Sequence, residues 1–248
     1  MTPNRPGTRG IVALGITFGR SAALVLTMLA LASCASGTLF RANFDADTPG
    51  ALPDTTPPGA PTGDTIYVSD PTNTLAQLVV VNSGALASKS VRYSNVNVPV
   101  PSRLVGFISK EEALPAGQKF RAIWVGRADL SASGSPLDIW FGDSHFKALA
   151  AMRLHNGQVQ LRTSNAPQYE NIGTYSESEN HTVIITVDKG AQQYSIVMTP
   201  NSVLSGWRPV LDPSALATNR PTLYFHFGEA ASSSARYEAD NIVIEKVK

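Results

Sequence analysis

Hydrophobic and polar residues alternate with a period of two along most of the chain after residue 38. The clearest stretch is 181–198, in which Val183 and Ile185 share one face of an extended segment. Its middle, Asp188–Ala191, is polar and contains Gly190, a residue that can take a positive φ angle. The pattern therefore predicts two antiparallel strands joined by a hairpin turn.

A second hairpin is predicted over Met152–Ser164, where the Asn156-Gly157 pair favours a tight type I′ turn. Other segments show the same alternation, or a short apolar run between turn residues. These strand candidates are Leu39–Phe44, Thr65–Ser69, Gln77–Val81, Val91–Val96, Leu104–Ser109, Lys119–Ala128, Leu137–Gly142, Met152–His155, Val159–Ser164, Leu223–Phe227 and Tyr237–Val247. Helical periodicity is weak, so at most a short helix is expected at Lys147–Met152 or Asn201–Trp207.

About a dozen strands separated by turn residues are typical of a β-sandwich or a barrel. We expect an all-β fold over residues 39–248, a single antiparallel β-sandwich of jelly-roll type. The length of this segment is common for one all-β domain. The stretch Thr48–Asp64 holds five prolines and no apolar periodicity, so it is predicted to be a structured loop that crosses the domain.

The N-terminal segment has the composition of a secretion signal. Arg5, Arg9 and Arg20 precede the apolar run Ala22–Leu31, and no acidic residue accompanies them. The run is too short for a transmembrane helix, which needs about 20 apolar residues. This pattern predicts a cleaved signal peptide.

The signal ends in Leu31-Ala32-Ser33-Cys34, which resembles the lipobox of bacterial lipoproteins. The resemblance implies removal of residues 1–33 and acylation of Cys34, with 34–38 as the lipidated residue and a short tether to the membrane. The residue after the cysteine is Ala35 and not Asp. This resembles the pattern of lipoproteins that Gram-negative bacteria sort to the outer membrane. An ordinary signal peptide with a chance cysteine is the alternative, and it is disfavoured because the chain has one cysteine, at the motif position.

Charge and cysteine content narrow the function classes. Removing the three signal arginines from 20 basic residues leaves 17 Lys and Arg against 19 Asp and Glu, a mature net charge of −2. No basic block stands out, so nucleic acid is not an expected partner. A lipidated Cys34 leaves the mature domain without a thiol, which excludes a disulfide scaffold, a thiolate metal site and a cysteine nucleophile.

Two terminal motifs and one hairpin carry a family resemblance. Phe44–Pro53 (FDADTPGALP) resembles the opening strand and turn of exported concanavalin A-like lectin/glucanase domains, and Arg236–Glu245 (RYEADNIVIE) resembles their closing strand. The hairpin at His181–Met198 resembles the central hairpin of laminin-G-like members. The resemblance implies a jelly roll but no particular activity, since this fold hosts lectins, hydrolases and lyases. A galactose-binding-type jelly roll has similar ends and stays open.

Enzyme signatures of this fold are incomplete in the sequence. Glycan hydrolysis needs two carboxylates across a groove, and the nearest match to the glucanase pattern Glu-x-Asp-x-x-Glu is Glu238-Ala239-Asp240, which lacks the third carboxylate. Arg121 and Arg127 share a strand face, yet the Gln-x-His of alginate-lyase-like members is missing. The histidines show no metal-ligand spacing, and no Gly-x-Ser-x-Gly elbow is present. An enzyme is therefore the weaker alternative.

A binding face is better supported by strand parity. Sugars bind against aromatic rings and planar polar side chains. In four predicted strands, polar and aromatic residues alternate with core positions, and Asp138 and Tyr224 are among them. The ligand-binding candidates on this polar face are Arg121, Trp140, Arg153 and His226. The alternative is an ordinary solvated face of an antiparallel sheet.

Asp45, Asp47 and Asp240 come from the two ends of the domain, which meet in many jelly rolls. Three carboxylates could hold a structural Ca²⁺, although turn capping by the first two explains them more simply. No other metal or cofactor is expected. We predict a lipid-anchored, exported protein that binds a carbohydrate or cell-envelope glycan without catalysis. The alternatives are a glycan-cleaving hydrolase or lyase, and a structural envelope lipoprotein with a protein partner.

Overall fold

Sixteen strands and one short 3-10 helix make up the regular structure of the described residues. The computed structural model describes residues 37–54, 62–63, 65–68, 78–86, 88–94, 104–130, 134–164, 166, 168–177, 179–227 and 235–247. The predicted signal peptide and the lipidation site at Cys34 lie outside the described residues, as does part of the proline-rich loop. Within the described ranges no helix is long and apolar enough to span a membrane.

The strands follow one another along the chain as β1 to β16. Their bounds are β1 Thr38–Ala42, β2 Thr65–Val68, β3 Leu78–Ser83, β4 Ser88–Ser94, β5 Leu104–Ile108, β6 Lys119–Asp129, β7 Leu137–Gly142, β8 Ala148–His155, β9 Gln158–Arg162, β10 Tyr169–Thr174, β11 His181–Asp188, β12 Gln193–Thr199, β13 Val203–Leu204, β14 Arg208–Pro209, β15 Thr222–Phe227 and β16 Arg236–Val247. The 3-10 helix spans Pro213–Ala217, and the Asp212 side chain caps it by accepting a hydrogen bond from the Ser214 amide.

Two antiparallel sheets are formed. Sheet A has the order β13-β12-β11-β6-β16-β4-β3, with β1 paired to the second half of β16 and β14 paired to β12. Sheet B has the order β10-β9-β8-β7-β15-β5-β2. Strands β6 and β7 are consecutive in the chain but belong to different sheets.

The core lies between the two sheets. Phe120 of β6 meets Phe141 of β7 edge to face at 5.5 Å between ring centroids, and Trp124 of β6 meets Phe225 of β15 at 5.7 Å. These pairs join sheet A to sheet B, and all four rings are at most 1% exposed. The expected antiparallel β-sandwich is confirmed.

The two predicted hairpins form, with one difference in turn chemistry. Asn156 and Gly157 both take positive φ, 49° and 72°, as a type I′ turn requires. In the β11–β12 turn the positive φ belongs to Gln192, at 54°, and not to Gly190. Neither expected short helix is present: the first segment is the start of β8, and the second forms a turn and β13.

A polar network runs through the core of sheet A. The Trp124 indole N–H donates to the Tyr237 hydroxyl at 2.8 Å, and His181 Nε2 lies 2.9 Å from the same oxygen. Burial lowers the pKa of His181 to about 4, so the ring is neutral. A Cβ atom at Gly126 would stand 2.0 Å from the Tyr237 hydroxyl, and this residue must therefore be glycine.

The sandwich has two ends that position the functional groups. At the near end, the Lys246 amide donates to the Gly37 carbonyl, and the Lys110 amide donates to the Leu39 carbonyl. At the far end, Tyr93 stacks on Phe227 and its hydroxyl accepts the Phe227 amide. The first half of β7 and the start of β16 lie at this far end.

Candidate functional site

The outer face of sheet B carries two rows of side chains at matching strand registers. The first row is Tyr67, Gly106, Tyr224, Trp140 and Ala151, on β2, β5, β15, β7 and β8. The second row, nearer the far end, is His226, Asp138, Arg153, Gln160 and Asn171, on β15, β7, β8, β9 and β10. Strand alternation points all of them away from the core. Trp140, Arg153 and His226, three of the four predicted binding residues, therefore share this face.

Asp138 is the centre of the second row. Arg153 donates to it through two nitrogens, Nε to Oδ1 at 2.7 Å and Nη2 to Oδ2 at 2.9 Å. The Tyr169 hydroxyl donates to Oδ1 at 3.1 Å, and the Tyr169 ring lies 3.8 Å from the Arg153 guanidinium carbon. His226 Nδ1 stands 3.9 Å from Oδ2, too far for a hydrogen bond.

These contacts keep Asp138 ionised although it is only 5% exposed. Burial raises the pKa of this carboxyl, but His226 and Arg153 outweigh that effect, and the pKa ends below its ordinary value. The same charge acts on its neighbour: burial and the Asp138 carboxylate together raise the pKa of Tyr169 to about 12. At neutral pH the cluster therefore holds a carboxylate, a guanidinium and a protonated phenol.

Trp140 stands beside this cluster in the first row. Its ring stacks on the His226 ring, with 5.3 Å between centroids and 25° between planes. The indole N–H is buried and has no acceptor among the described residues. Buried polar groups are nearly always hydrogen-bonded, so this unpaired donor is an unusual feature of the face.

An aromatic group occupies the near end of the first row. Tyr224 lies directly over Gly106, where an added Cβ would stand 2.6 Å from the tyrosine ring. Phe146 packs on Tyr224 at 5.2 Å and on Tyr67 at 5.8 Å, and is itself 50% exposed. Asp143 fixes the loop, since its Oδ1 accepts the Lys147 amide at 2.9 Å.

Phe146 takes a positive φ of 66°, an uncommon conformation for a residue with a bulky side chain. The loop holds that backbone while presenting the ring to solvent. Strained residues of this kind cluster at ligand sites, so the exposed aromatic group extends the candidate surface of sheet B toward the near end.

The expected grouping of all four binding residues is wrong in one member. Arg121 lies on β6, in sheet A, and therefore faces away from the other three across the whole sandwich. It donates to Glu245 Oε1 from Nε at 2.8 Å and from Nη2 at 2.5 Å. The alternation of side chains along β6 was predicted correctly, since Arg121 and Arg127 point outward. Alternation alone, however, does not show which sheet a strand joins.

Tyr169 was missed by the sequence analysis. Its strand, β10, reads Tyr-Glu-Asn-Ile-Gly-Thr and shows no clean alternation, because it is a half-exposed edge strand. The Asn171 to Gln160 pairing places it beside β9. The only signal in the sequence was weak: Tyr169 is an aromatic residue that follows a polar stretch after β9.

The remaining carboxylate candidates are engaged in local structure. Asp240 accepts hydrogen bonds from Ser88 Oγ at 2.6 Å and from the Asn241 amide at 2.7 Å, at a bulge in β16. Asp47 Oδ2 accepts the Asp54 amide at 3.3 Å. No three His, Cys, Asp or Glu side chains are grouped as metal ligands in the described part of the chain. Calcium binding by Asp45, Asp47 and Asp240 stays a prediction.

Several solved structures that align with this chain are named as carbohydrate-active proteins. The catalytic domain of the glycoside hydrolase family 131 protein from Coprinopsis cinerea aligns with a TM-score of 0.56 and 10% identity, covering 84% of this chain and 94% of its own. An endo-1,3-β-glucanase from Streptomyces sioyaensis aligns with a TM-score of 0.53 and 13% identity, over 87% and 99%. A sialidase aligns with a TM-score of 0.50 and 15% identity, over 72% of this chain but only 16% of the sialidase.

No protein-family model matches the sequence, and no curated protein matches it. At these identities the structural likeness establishes the fold alone. The chain therefore has an antiparallel β-sandwich of jelly-roll type, as the sequence predicted.

Proposed function

We propose that the outer face of sheet B binds a carbohydrate or a cell-envelope glycan without cleaving it. The observation that carries the proposal is the convergence of Arg153 and Tyr169 on Asp138, beside a Trp140 whose indole N–H has no partner in the described residues. A sugar ring offers apolar C–H surface for the aromatic side chains and hydroxyls for the carboxylate and the guanidinium. Both kinds of group lie together on this face.

Binding is favoured over cleavage by the state of the carboxylate. A glycan hydrolase needs one carboxylic acid with a raised pKa to protonate the leaving group, and a second, ionised carboxylate across the substrate. The pKa of Asp138 is lowered, so it cannot serve as the acid. The aspartates whose pKa is raised by burial, Asp47 and Asp240, interact with residues of sheet A strands. A lectin-like role requires neither an acid nor a nucleophile.

The proposal is tested by a glycan array with the full-length chain in detergent, followed by product analysis of every hit. Replacing Trp140 or Arg153 by Ala should cost at least about 1 kcal/mol of glycan binding, as the loss of a stacking aromatic or a forked arginine does at interaction hot spots. The matched control is Arg121→Ala, which removes a similar ion-paired arginine from sheet A. An equal loss in the control would refute the site, and released saccharide products would establish the enzyme alternative.

We further propose that the domain is displayed on a membrane by lipid at Cys34. Support comes from the basic, apolar and small-residue segments that end in Leu31-Ala32-Ser33-Cys34. Cys34→Ala should leave an unprocessed chain that no longer enters the detergent phase on partitioning. Partitioning equal to that of the wild type would contradict lipidation, and fractionation with the inner membrane would contradict outer-membrane sorting through Ala35.

A further inference from the structure

A charged cavity lies on the outer face of sheet A, on the side of the sandwich opposite the proposed glycan site. It has a volume of about 370 Å³, and its lining residues are Arg92, Arg127, Asp129, Glu177, Arg236 and Glu238. Cross-strand pairing forms its floor, with Arg127 of β6 opposite Glu238 of β16 and Glu238 opposite Arg92 of β4. A pocket of this size accommodates a small ligand.

The hydrogen bonds in the cavity leave two arginines unused. Glu238 is fully occupied, since Arg92 donates to its Oε1 at 2.7 Å and Ser83 donates to its Oε2 at 2.6 Å. Arg127 and Arg236 have no hydrogen-bond or ion-pair partner among the residues that the structure describes. Two guanidinium groups at the cavity therefore have no hydrogen-bond acceptor among the described residues.

An unpaired acceptor faces the same cavity. Glu177, from the loop between β10 and β11, contributes an Oε1 atom that is buried and accepts no hydrogen bond in the described part of the chain. Asp129, opposite Arg236 in the strand register, adds a second carboxylate. A ligand that completes these groups must accept hydrogen bonds from guanidinium and donate hydrogen bonds to carboxylate.

The charges of the cavity decide the ligand class. Three arginines balance three carboxylates, so the cavity is neutral overall and does not concentrate polyanions. A guanidinium fork pairs well with a planar carboxylate, and a carboxylate of the cavity can accept hydrogen bonds from hydroxyl groups. We propose that this cavity binds a sugar residue that carries one carboxylate, a uronic-acid type of unit. The proposal is independent of glycan binding on sheet B.

The test compares methyl β-glucuronide with methyl β-glucoside, which differ only in a carboxylate in place of a hydroxymethyl group. Binding to the full-length chain in detergent is followed by ligand-observed NMR titration. The glucuronide should bind at least about tenfold more tightly than the glucoside, a difference of about 1.4 kcal/mol. Arg127→Gln and Arg236→Gln should each lose about tenfold in glucuronide affinity.

A control separates loss of this cavity from a general effect of removing an arginine. Arg208→Gln removes an arginine that pairs with Glu170 away from the cavity, so it should bind glucuronide as the wild type does. Equal affinity for the two glycosides, or wild-type affinity in both Gln variants, would overturn the proposal. Displacement of glucuronide by an equal concentration of sulfate would also overturn it, because it would show a simple anion site. Thermal melts show whether the two Gln variants are folded. If only one of them folds, its affinity for glucuronide is enough for the test.

Discussion

Two arginines, one on each outer face of the sandwich, pair with a nearly buried carboxylate on a neighbouring strand. On sheet B, Arg153 uses two nitrogens for the two oxygens of Asp138, which also accepts the Tyr169 hydroxyl. On sheet A, Arg121 uses two nitrogens for one oxygen of Glu245, and the other oxygen is buried with no hydrogen-bond partner among the described residues. The ion pairs are chemically alike, so their neighbours must decide what each face does.

The neighbours differ in kind. Asp138 accepts the Tyr169 hydroxyl and lies 3.9 Å from His226, whose ring stacks on Trp140. The strand positions beside the Arg121–Glu245 pair instead hold Ile123 and Val243, which continue as an apolar stripe across sheet A. The aliphatic part of an arginine side chain can cover such apolar residues while its charged group stays in contact with water. The proposal of glycan binding on sheet B therefore rests on the aromatic and polar surroundings of the Asp138–Arg153 pair and not on the pair itself.

The largest expected change in the free energy of unfolding comes from a histidine in the core, and it depends on pH. His181 is neutral in the fold because burial lowers its pKa to about 4, against 6.5 in the unfolded chain. Above pH 6.5 His181 does not alter the free energy of unfolding, because its ring is neutral in both states. Between pH 6.5 and 4 the ring binds a proton in the unfolded chain but not in the folded protein. The free energy of unfolding should fall by up to about 3 kcal/mol across this window and stay level below it for this group.

Denaturant titrations at several pH values measure this loss. His181→Asn should remove most of the slope between pH 6.5 and 4, whereas His145→Asn, at an exposed loop position, should keep it. An unchanged slope in the first variant would show that other groups cause the acid loss. The loss tied to Asp138, whose pKa is lowered, should appear only as pH falls through the acidic range below that of the histidine.

Breaking each surface ion pair is the next test. Asp138→Ala and Glu245→Ala should each cost about 2 kcal/mol of unfolding free energy, because removal of one partner leaves an arginine uncompensated. The usual cost for a fully buried pair is reduced here, since the arginine side chains are 22% and 35% exposed. Only Asp138→Ala should also abolish glycan binding. If Glu245→Ala weakens binding as much, the two faces are not functionally different.

The smallest expected effect concerns Tyr169, the aromatic neighbour of the Asp138–Arg153 pair. Tyr169→Phe removes the 3.1 Å hydrogen bond to Asp138 and keeps the ring against Arg153, so it should cost less than about 1 kcal/mol of stability. Tyr169→Ala also removes the cation–π contact and should cost about 0.5–1 kcal/mol more. Chemical denaturation of both variants resolves the two contributions. Identical losses would mean that the ring contact with Arg153 adds nothing.

Strand alternation was enough to predict much of the architecture and part of the site. It assigned Trp140 and His226 to one outward face correctly, because side-chain direction depends only on local backbone period. It could not assign Arg121, because sheet membership depends on non-local pairing, and β6 and β7 are consecutive strands in opposite sheets. Tyr169 escaped for a different reason, since an edge strand buries little and needs no alternation.

The pairing of β1 with β16 has a mechanical consequence. Both Gly37, where the described domain begins, and its partner Lys246 lie at the near end, whereas Asp138 and Arg153 lie toward the far end. A load applied at Gly37 and resisted by a ligand on Arg153 pulls nearly along the strand axis. The β1–β16 hydrogen bonds then carry that load together, in shear, instead of opening one after another as in a zipper. A domain tethered at this residue would resist detachment forces through its first and last strands.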